Sequence, residues 1–427
     1  CLYWIRLFVR DARTVSCTSR NGIFSSTRTK FDSIQSRPWK YGGTCNPSRR
    51  IITTHRVEVT PIVWSPHVEN NLMRIVAAMS GGVDSSVAAA LLTTDGHDVI
   101  GLSMQLYDQV NGKYEFGSCC TLDDLADARR VAARLGIPHY IVNFERQFEE
   151  HVISHFVQEY VNARTPIPCV QCNSDLKFSS LLERARGLNA DYVATGHYAR
   201  VAKLSTDDGS DIYQLRRAID DNKDQSYFLF SLTQEQLSRA CFPLGELTKS
   251  TVRAHARTYG LNVADKPDSH EICFVPDGQY ADFVESRTPE ISTSGNIVNH
   301  TGETIGQHTG IHRFTIGQRK GLGLSSDKPL YVTALDAQSS TVTVGPRHAL
   351  EQTRLTASNV NWIFKAPPHG AHVSAQIRHH HPVALCRVWA DDKGLELEFE
   401  HPQQAIAPGQ AVVIYDGDLV LGGGWIE

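Results

Sequence analysis

The sequence has no run of about 18 consecutive apolar residues, so an ordinary membrane-spanning helix is not expected and no membrane partner is assigned. Its ten cysteines are spread over 427 residues. That is neither the density of a disulfide scaffold nor a repeated zinc-ligand spacing, so most are expected to be reduced thiols in a reducing compartment. There is no internal repeat and no low-complexity tract, which sets aside solenoid and fibrous architectures. Acidic residues are scarce at one end. Residues 1–57 hold only Asp11 and Asp32 against eleven Lys and Arg, and are rich in Ser and Thr. The formal net charge of −4 hides this asymmetry, because the remainder carries 31 basic and 44 acidic side chains. An Arg-rich, Ser-rich, acid-poor leader has the composition of a mitochondrial or chloroplast transit peptide; a disordered basic arm that touches nucleic acid is the alternative.

What is present suffices for a sizeable core: 41% of the residues are hydrophobic, and the length suits two or three domains of roughly 100–200 residues each. From Arg74 to about Asn189 apolar runs alternate with helical periodicity, the pattern of an α/β domain with a parallel sheet. RIVAAM (74–79), HDVIGLSMQLYD (97–108), HYIVNF (139–144) and ADYVATGH (190–197) read as strands. TLDDLADARRVAARLG reads as a helix with Thr121 as N-cap and Gly136 and Pro138 as stops. Phe148, Val152, Phe156 and Tyr160 recur at i, i+4 and predict a second amphipathic helix. Beyond about residue 288 the texture changes to Gly-rich turns and short alternating segments. GLELEFE (394–400) alternates strictly, and AVVIYDGDLVLGGGWIE reads as a hairpin turning at Asp416 and Gly417. The expected organisation is a leader (1–57), an α/β nucleotide-binding domain (72–287), a central β-rich module (288–350) and a C-terminal β-barrel-like module (351–427).

One stretch carries chemistry by its order. A hydrophobic strand runs into Ser80-Gly81-Gly82-Val83-Asp84-Ser85-Ser86 and then an Ala- and Leu-rich helix. Glycines let the backbone approach an anion closely, and a helix N-terminus offers unpaired N–H groups and positive dipole charge. Asp84 is an odd neighbour for bare phosphates but fits if Mg²⁺ accompanies them. The Gly-Lys-Ser/Thr ending of the Walker loop is missing, so this is a different phosphate turn. A plain tight turn between strand and helix is the bland alternative. The string resembles the PP-loop ATP pyrophosphatases, which cleave ATP between the α and β phosphates and transfer AMP to a carbonyl oxygen.

Two cysteine segments narrow the resemblance. TPIPCVQCNSDLKF (165–178) and KPDSHEICFVPDGQYADFV (266–284) resemble those of the tRNA-specific 2-thiouridylases, as do ATGHYAR, NKDQSYFL, FTIGQRKGLG and APGQAVVIYDGD. These motifs span nearly everything from residue 74 onward, and with the basic leader the resemblance is to mitochondrial members. It implies ATP-dependent 2-thiolation of the wobble uridine of mitochondrial tRNAs, those for lysine, glutamate and glutamine, in the matrix. The partners implied are tRNA and an upstream persulfide donor. The resemblance makes Cys172 the nucleophile and Cys273 the persulfide carrier. ATP would lie on Ala78, Met79, Ser80, Gly81, Gly82, Val83, Asp84, Ser85, Met104 and Gly196. Contacts with tRNA are implied at His197, Lys223, Asp224, Gln225, Arg378, His379 and Gln410. The chemistry is consistent with this: adenylation makes the uridine C2 oxygen a leaving group, and a second thiol can release the sulfur of a persulfide by exchange.

One residue departs from the pattern. Many family members have Asp where this chain has Cys169, so an acid–base role there would need a perturbed thiol. Cys169, Cys172 and Cys273 as ligands of an iron–sulfur cluster is a second reading; a loop residue without chemistry is the third. Cys119 and Cys120 read as packing residues, and Cys241 and Cys386 as core. In RHHHP (378–382) consecutive side chains on a strand would face opposite sides, which favours an RNA-backbone contact from Arg378 over a metal. The acidic balance requires any RNA surface to be a local patch, with Arg313, Arg319, Lys320 and Arg378 as candidates. Another PP-loop enzyme acting on a small substrate, and a non-catalytic RNA-binding or metal-sensing protein, remain the alternatives in function.

Overall fold

The computed structural model describes residues 72–106, 122–206, 209–268, 272–275, 279–289 and 293–427. The leader, Cys119, Cys120 and Thr121 lie outside them. The first sheet is formed by β1 (Arg74–Ala78), β2 (Asp98–Gln105), β3 (His139–Asn143), β4 (Tyr192–Ala194) and, after a hairpin that belongs elsewhere, the two-residue β7 (Ala240–Cys241). It is parallel throughout, in the order β3-β2-β1-β4-β7. Strand order therefore reverses at β1: the chain steps to β2 and β3 on one side, then returns to β4 on the other. The crevice beyond the carboxyl ends of β1 and β4 is the place where open α/β sheets bind ligands.

Both faces of the sheet are covered, as parallel sheets require. On one face Ile75 and Ala77 pack with Val87, Ala88, Ala89 and Ala90 of the helix Val83–Thr94, with Val131 of Leu122–Leu135 and with Val252 of Lys249–Thr258. The run of alanines lets that first helix lie close to the sheet. On the other face Val76 and Leu102 pack with Phe148, Val152, Phe156 and Tyr160. These four form the expected stripe, but their helix is longer than the pattern suggested and is interrupted. It runs through Glu145–Phe148, a π-type turn Glu149–Ile153, and Ser154–Val161. A similar π-helical stretch, Cys172–Ser180, follows the short turn Pro168–Gln171. The strand expected at 190–197 is confined to β4, because Thr195 to His197 form the turn that meets the phosphate loop.

The hairpin set aside above, β5 (Ala199–Ser205) and β6 (Asp211–Arg217), pairs with the C-terminal barrel. The central module is a sheet in the order β10-β11-β8-β9, from β8 (Gly295–Val298), β9 (Thr304–His308), β10 (Tyr331–Asp336) and β11 (Thr341–Gly345). The last module comprises β12 (Glu351–Trp362), β13 (Ala371–Gln376), β14 (Ala384–Asp391), β15 (Gly394–Gln404), β16 (Ala411–Asp416) and β17 (Leu419–Ile426). Its order β12-β15-β14-β13-β16-β17 closes into a barrel through the β12–β17 pairing, and β6 then β5 extend it from β17. The predicted hairpin is β16–β17. RHHHP lies in the loop between β13 and β14, not on a strand. Among the described residues no helix is long and apolar enough to cross a membrane.

Candidate active site

The turn after β1 is shaped by close approaches that only glycine permits. Gly81 has φ +76°, and a Cβ there would lie 2.1 Å from the carbonyl oxygen of Asp124. Gly196, at the end of β4, abuts the start of the next helix: a Cβ would lie 2.6 Å from the Ser85 nitrogen and 2.7 Å from the Asp84 carbonyl carbon. Ser85 fixes the turn from inside, accepting from the Ser80 N–H at 3.1 Å and donating to the Gly82 carbonyl at 3.2 Å. Gly82 caps the helix without any side-chain bond, so side chains do not cover its first N–H groups. Met79 and Val83 are buried, while Ala78, Gly82 and Asp84 are half-buried and Ser80 is exposed. Met79 is tied by its backbone to β2, its N–H donating to the Leu102 carbonyl at 2.8 Å and its carbonyl accepting from the Ser103 hydroxyl at 2.6 Å. Met104, on β2, borders the second core cluster.

Four cations lie at this turn or on the carboxylates beside it, and of them only Lys223 was selected from the sequence, as an RNA contact. Lys249 Nζ donates to both Asp84 oxygens, at 2.8 and 2.7 Å, and lies 2.7 Å from Asp268. Tyr198 donates its hydroxyl to Asp84 at 2.8 Å. Lys223 and Arg253 also bind Asp268, at 2.7 and 3.1 Å. Burial alone would raise the Asp268 carboxyl, but bonds from Lys223 and Lys249 outweigh it and bring it to about 2. Lys266 Nζ donates to the Gly81 carbonyl at 3.1 Å, to Asp124 at 2.6 Å and to Asp127 at 2.7 Å. An anionic ligand at Ser80–Ser85 would meet lysines held in place by carboxylates. The signal was available in LTKSTVRAH, a Thr-capped helix with Lys at its first position, but proximity to the turn is a tertiary fact.

Each implied reactive cysteine is next to a buried anchor. Cys172 opens its helical stretch beside Asn173, which is 2% exposed and donates to the Phe228 carbonyl at 3.1 Å; Lys177 in turn donates to Asn173 at 3.0 Å. Cys273 precedes Phe274, 1% exposed, whose ring meets Phe148 and Phe156 edge-on at 5.6 and 5.0 Å. Both thiols are half-buried and border the same apolar cluster, together with Met104. Cys169 is exposed, one helical turn before Cys172. No disulfide is present among the described residues. Nor is there, among them, a set of three or more His, Cys, Asp or Glu side chains placed to hold a metal ion, and the three cysteines do not form one. Cys241 and Cys386 are core residues, their thiols pushed up by burial.

The residues implied in RNA contact fall into two groups. Three of them face inward. His197 is buried between Phe178 and Phe242 and shares a bond of 2.8 Å with Thr195; burial, then Lys177, hold its ring well below the ordinary value, so it is neutral. Asp224 is buried, binding Arg217 at 3.0 Å and accepting from the Ala218 and Ser226 N–H groups. Gln225 accepts from the Tyr198 N–H at 3.0 Å. The others lie nearer the surface: Lys223 and Arg378 are part-exposed, and His379 packs on Phe228 at 4.4 Å. Gln410 donates to the Thr165 and Pro166 carbonyls at 3.0 and 3.4 Å. Of the proposed basic patch, Arg313 is committed to Glu285 and Asp282, whereas Arg319 and Lys320 are exposed.

Comparison with known proteins bears on this geometry. Residues 73–277 match the model of the tRNA methyl transferase HUP domain, 281–346 its PRC-barrel domain, and 352–426 the aminomethyltransferase beta-barrel domain. The chain is 53% identical over 365 residues to the tRNA-specific 2-thiouridylase MnmA of Geotalea uraniireducens, covering 84% of this chain and 96% of that one. It is 52% identical over 370 residues to the protein of that name from Solibacter usitatus, covering 83% and 99%. With Rickettsia felis the identity is 46% over 355 residues, covering 82% and 96%. A PP-loop α/β domain followed by two β modules, and sequence identity of this extent along all three, place the chain in the tRNA-specific 2-thiouridylase family.

Proposed function

We propose that this enzyme replaces the C2 oxygen of the wobble uridine in mitochondrial tRNAs, those for lysine, glutamate and glutamine, with sulfur, using ATP as co-substrate and a persulfide on Cys273. The observation that carries this reading is that two thiols, about 100 residues apart in sequence, border one apolar cluster, which Met104 and Ala78, the last residue of β1, border as well. Ser80–Ser85, Lys249 and Lys266 bind the triphosphate. The uridine oxygen attacks the α-phosphorus and pyrophosphate leaves. The Cys172 thiolate attacks the Cys273 sulfur, forming a disulfide and releasing hydrosulfide; the outer sulfur gains the two electrons that the thiols lose. Hydrosulfide adds at C2, AMP departs with the oxygen, and the thiocarbonyl remains. A dithiol reductant then restores both cysteines.

Mg²⁺ would spread the charge of the leaving phosphates. Such sites need only one or two protein carboxylates when phosphates supply the other oxygens. Asp84 fits that role, with Lys249 turning from it to the phosphates. Lys223, Arg378, His379 and Gln410 border the surface on which tRNA would lie. The leader is proposed to direct the chain to the mitochondrial matrix; a fluorescent protein fused behind residues 1–57 and left in the cytosol would overturn that.

The deciding experiment is thiolation of tRNA with ATP and a low-molecular-weight persulfide, comparing wild type with Cys172→Ser, Cys273→Ser and Cys169→Ser, with iron content measured. Loss in the first two and survival of the third is expected. Loss in all three together with bound iron would replace the thiol relay by a cluster. Thiolation retained in the first two would overturn the thiol relay, and a wild type that cleaves ATP but thiolates no tRNA would move the function to a small-molecule substrate.

A further inference from the structure

We propose that Arg164 is a positioning residue for sulfur transfer, tying the last strand of the barrel to the loop that leads into Cys172; the proposal rests on the reading of Cys172 as the attacking thiol. Arg164 lies just before that loop and engages three partners. Its Nε donates to Glu159 at 2.9 Å, Nη1 to Glu427 at 2.7 Å and Nη2 to the Ile426 carbonyl at 3.1 Å. Glu159 belongs to the helix under the sheet, whereas Ile426 ends β17 and Glu427 follows it. One guanidinium therefore joins the α/β domain to the barrel, with each of its three nitrogens donating one bond.

The next two residues are held from the barrel side as well. Thr165 N–H donates to the Pro408 carbonyl at 2.8 Å, and Gln410 binds the Thr165 and Pro166 carbonyls. Gly409 has φ +87°, and a Cβ there would lie 2.9 Å from the Thr165 nitrogen and 3.0 Å from Arg164 Cβ. Loop and strand are themselves joined, since Gly409 N–H donates to Ile426 and Ile426 N–H to Gln410, at 2.9 and 2.8 Å. From Thr165 the chain has little slack: Pro166 and Pro168 fix backbone angles, and Ile167 and Val170 are buried. A shift of β17 is thus passed to Cys172.

The seam is not fully packed. A crevice of about 100 Å³, lined by His155, Glu159, Arg164, Gln171, Asn359 and Trp425, runs along it. Gln171, the immediate neighbour of Cys172, has its side-chain oxygen buried there with no hydrogen-bond partner among the described residues. Room and an unsatisfied acceptor on this side let the Cys172 segment change its seating when the barrel engages RNA. Reaction requires the thiol within a few tenths of an ångström, and a misplacement of about 1 Å costs about 10²-fold.

The test uses the full chain as wild type, Arg164→Met, Arg164→Lys and Glu427→Gln. Thiolation is measured against tRNA and ATP concentration, alongside tRNA-dependent pyrophosphate release in a single turnover, with enzyme in excess over tRNA, and the alkylation rate of Cys172 by iodoacetamide, read by peptide mass spectrometry. Arg164→Met is expected to lower kcat for thiolation about tenfold or more, with both KM values and pyrophosphate release near wild type and a changed alkylation rate. Arg164→Lys restores part of the loss, and Glu427→Gln gives a smaller loss of the same kind. Thiolation and pyrophosphate release falling in proportion, a loss confined to the KM for tRNA, or no change would each overturn the proposal. If Arg164→Met does not fold, the other two variants decide by the same criteria. Undiminished thiolation by Cys172→Ser would instead overturn the reading beneath it, whatever Arg164 does.

Discussion

Lys249 grips both carboxylate oxygens of Asp84 from a helix that begins 165 residues later in the chain. It is also within 2.7 Å of Asp268, so one ammonium bridges two carboxylates at the mouth of the phosphate turn. Its side chain is only 13% exposed. A cation kept so dry and so close to the turn is preorganised for phosphate charge that develops as pyrophosphate leaves. Lys249→Met is therefore expected to lower kcat/KM for ATP by about 10²–10³, the usual cost of losing one such donor, while leaving tRNA affinity in place. Pyrophosphate release measured against ATP concentration checks this, and an unchanged kcat/KM would remove Lys249 from the site.

Gly196 tests the contact between β4 and the turn. In Gly196→Ala the methyl group would meet the backbone of Asp84 and Ser85, not a yielding side chain. The helix start must then shift, and the oriented N–H groups with it. The expected result is a large rise in the KM for ATP with a lower melting temperature that added ATP restores poorly. Equilibrium nucleotide binding and thermal unfolding with and without ATP distinguish this from simple destabilisation, in which saturating ATP would recover full turnover.

The sequence shows why some of this was readable in advance and some not. The phosphate turn was legible because its residues are contiguous and each has a local reason: glycine for approach, serine for bonding within the turn. The parallel strands and the β16–β17 hairpin were legible from apolar runs and the Asp-Gly turn. Lys249, Lys266 and Asp268 were not, because a lysine at a capped helix start or a charge in a loop gives no sign of what it faces; only the tertiary fold brings them to Ser80–Ser85. The β5–β6 hairpin was not read from the sequence, and its pairing with β17 depends on a strand about 200 residues further along the chain. RHHHP misled because its β-rich neighbours suggested a strand, whereas Gln376 ends β13 and the histidines turn the corner.

Asp224 separates RNA contact from structure. Its carboxylate is 5% exposed and is satisfied by Arg217 and by bonds from Ala218 and Ser226. Asp224→Ala would leave Arg217 without that partner, at a cost of about 3–5 kcal/mol for breaking a buried pair. Denaturant unfolding should show a lower midpoint, with tRNA binding lost only as the fold is lost. A stable variant with selectively weakened tRNA binding would show that Asp224 acts on RNA directly.

Binding of tRNA should fall with salt although the chain beyond its leader is acidic. Arg319 and Lys320 are exposed, while Arg313 is neutralised within the fold. If Arg319 and Lys320 each touch a phosphate, Arg319→Gln with Lys320→Gln lowers the slope of log affinity against log salt by about 1.4–1.8. Arg313→Gln should instead loosen the attachment of the helix Tyr280–Arg287 and leave the salt slope unchanged. Fluorescence anisotropy with labelled tRNA over a salt series measures both.

His379 gives the fold an acid limit that can be assigned. Its ring packs on Phe228 and lies 3.8 Å from the ring of His380. Burial, then the charge of His380, push it from 6.5 to about 4, against a smaller upward pull from Asp224. A histidine lowered in the folded state is neutral there while the unfolded chain takes up a proton. Its contribution to stability is thus complete above pH 6.5, declines as pH falls, and is gone below about 4. His379→Gln removes this linkage, so its stability should fall less steeply than that of wild type between those values. Urea midpoints at pH 7.5, 5.5 and 4.5 should converge or cross as pH falls; parallel declines for the two proteins would place the acid sensitivity at other groups.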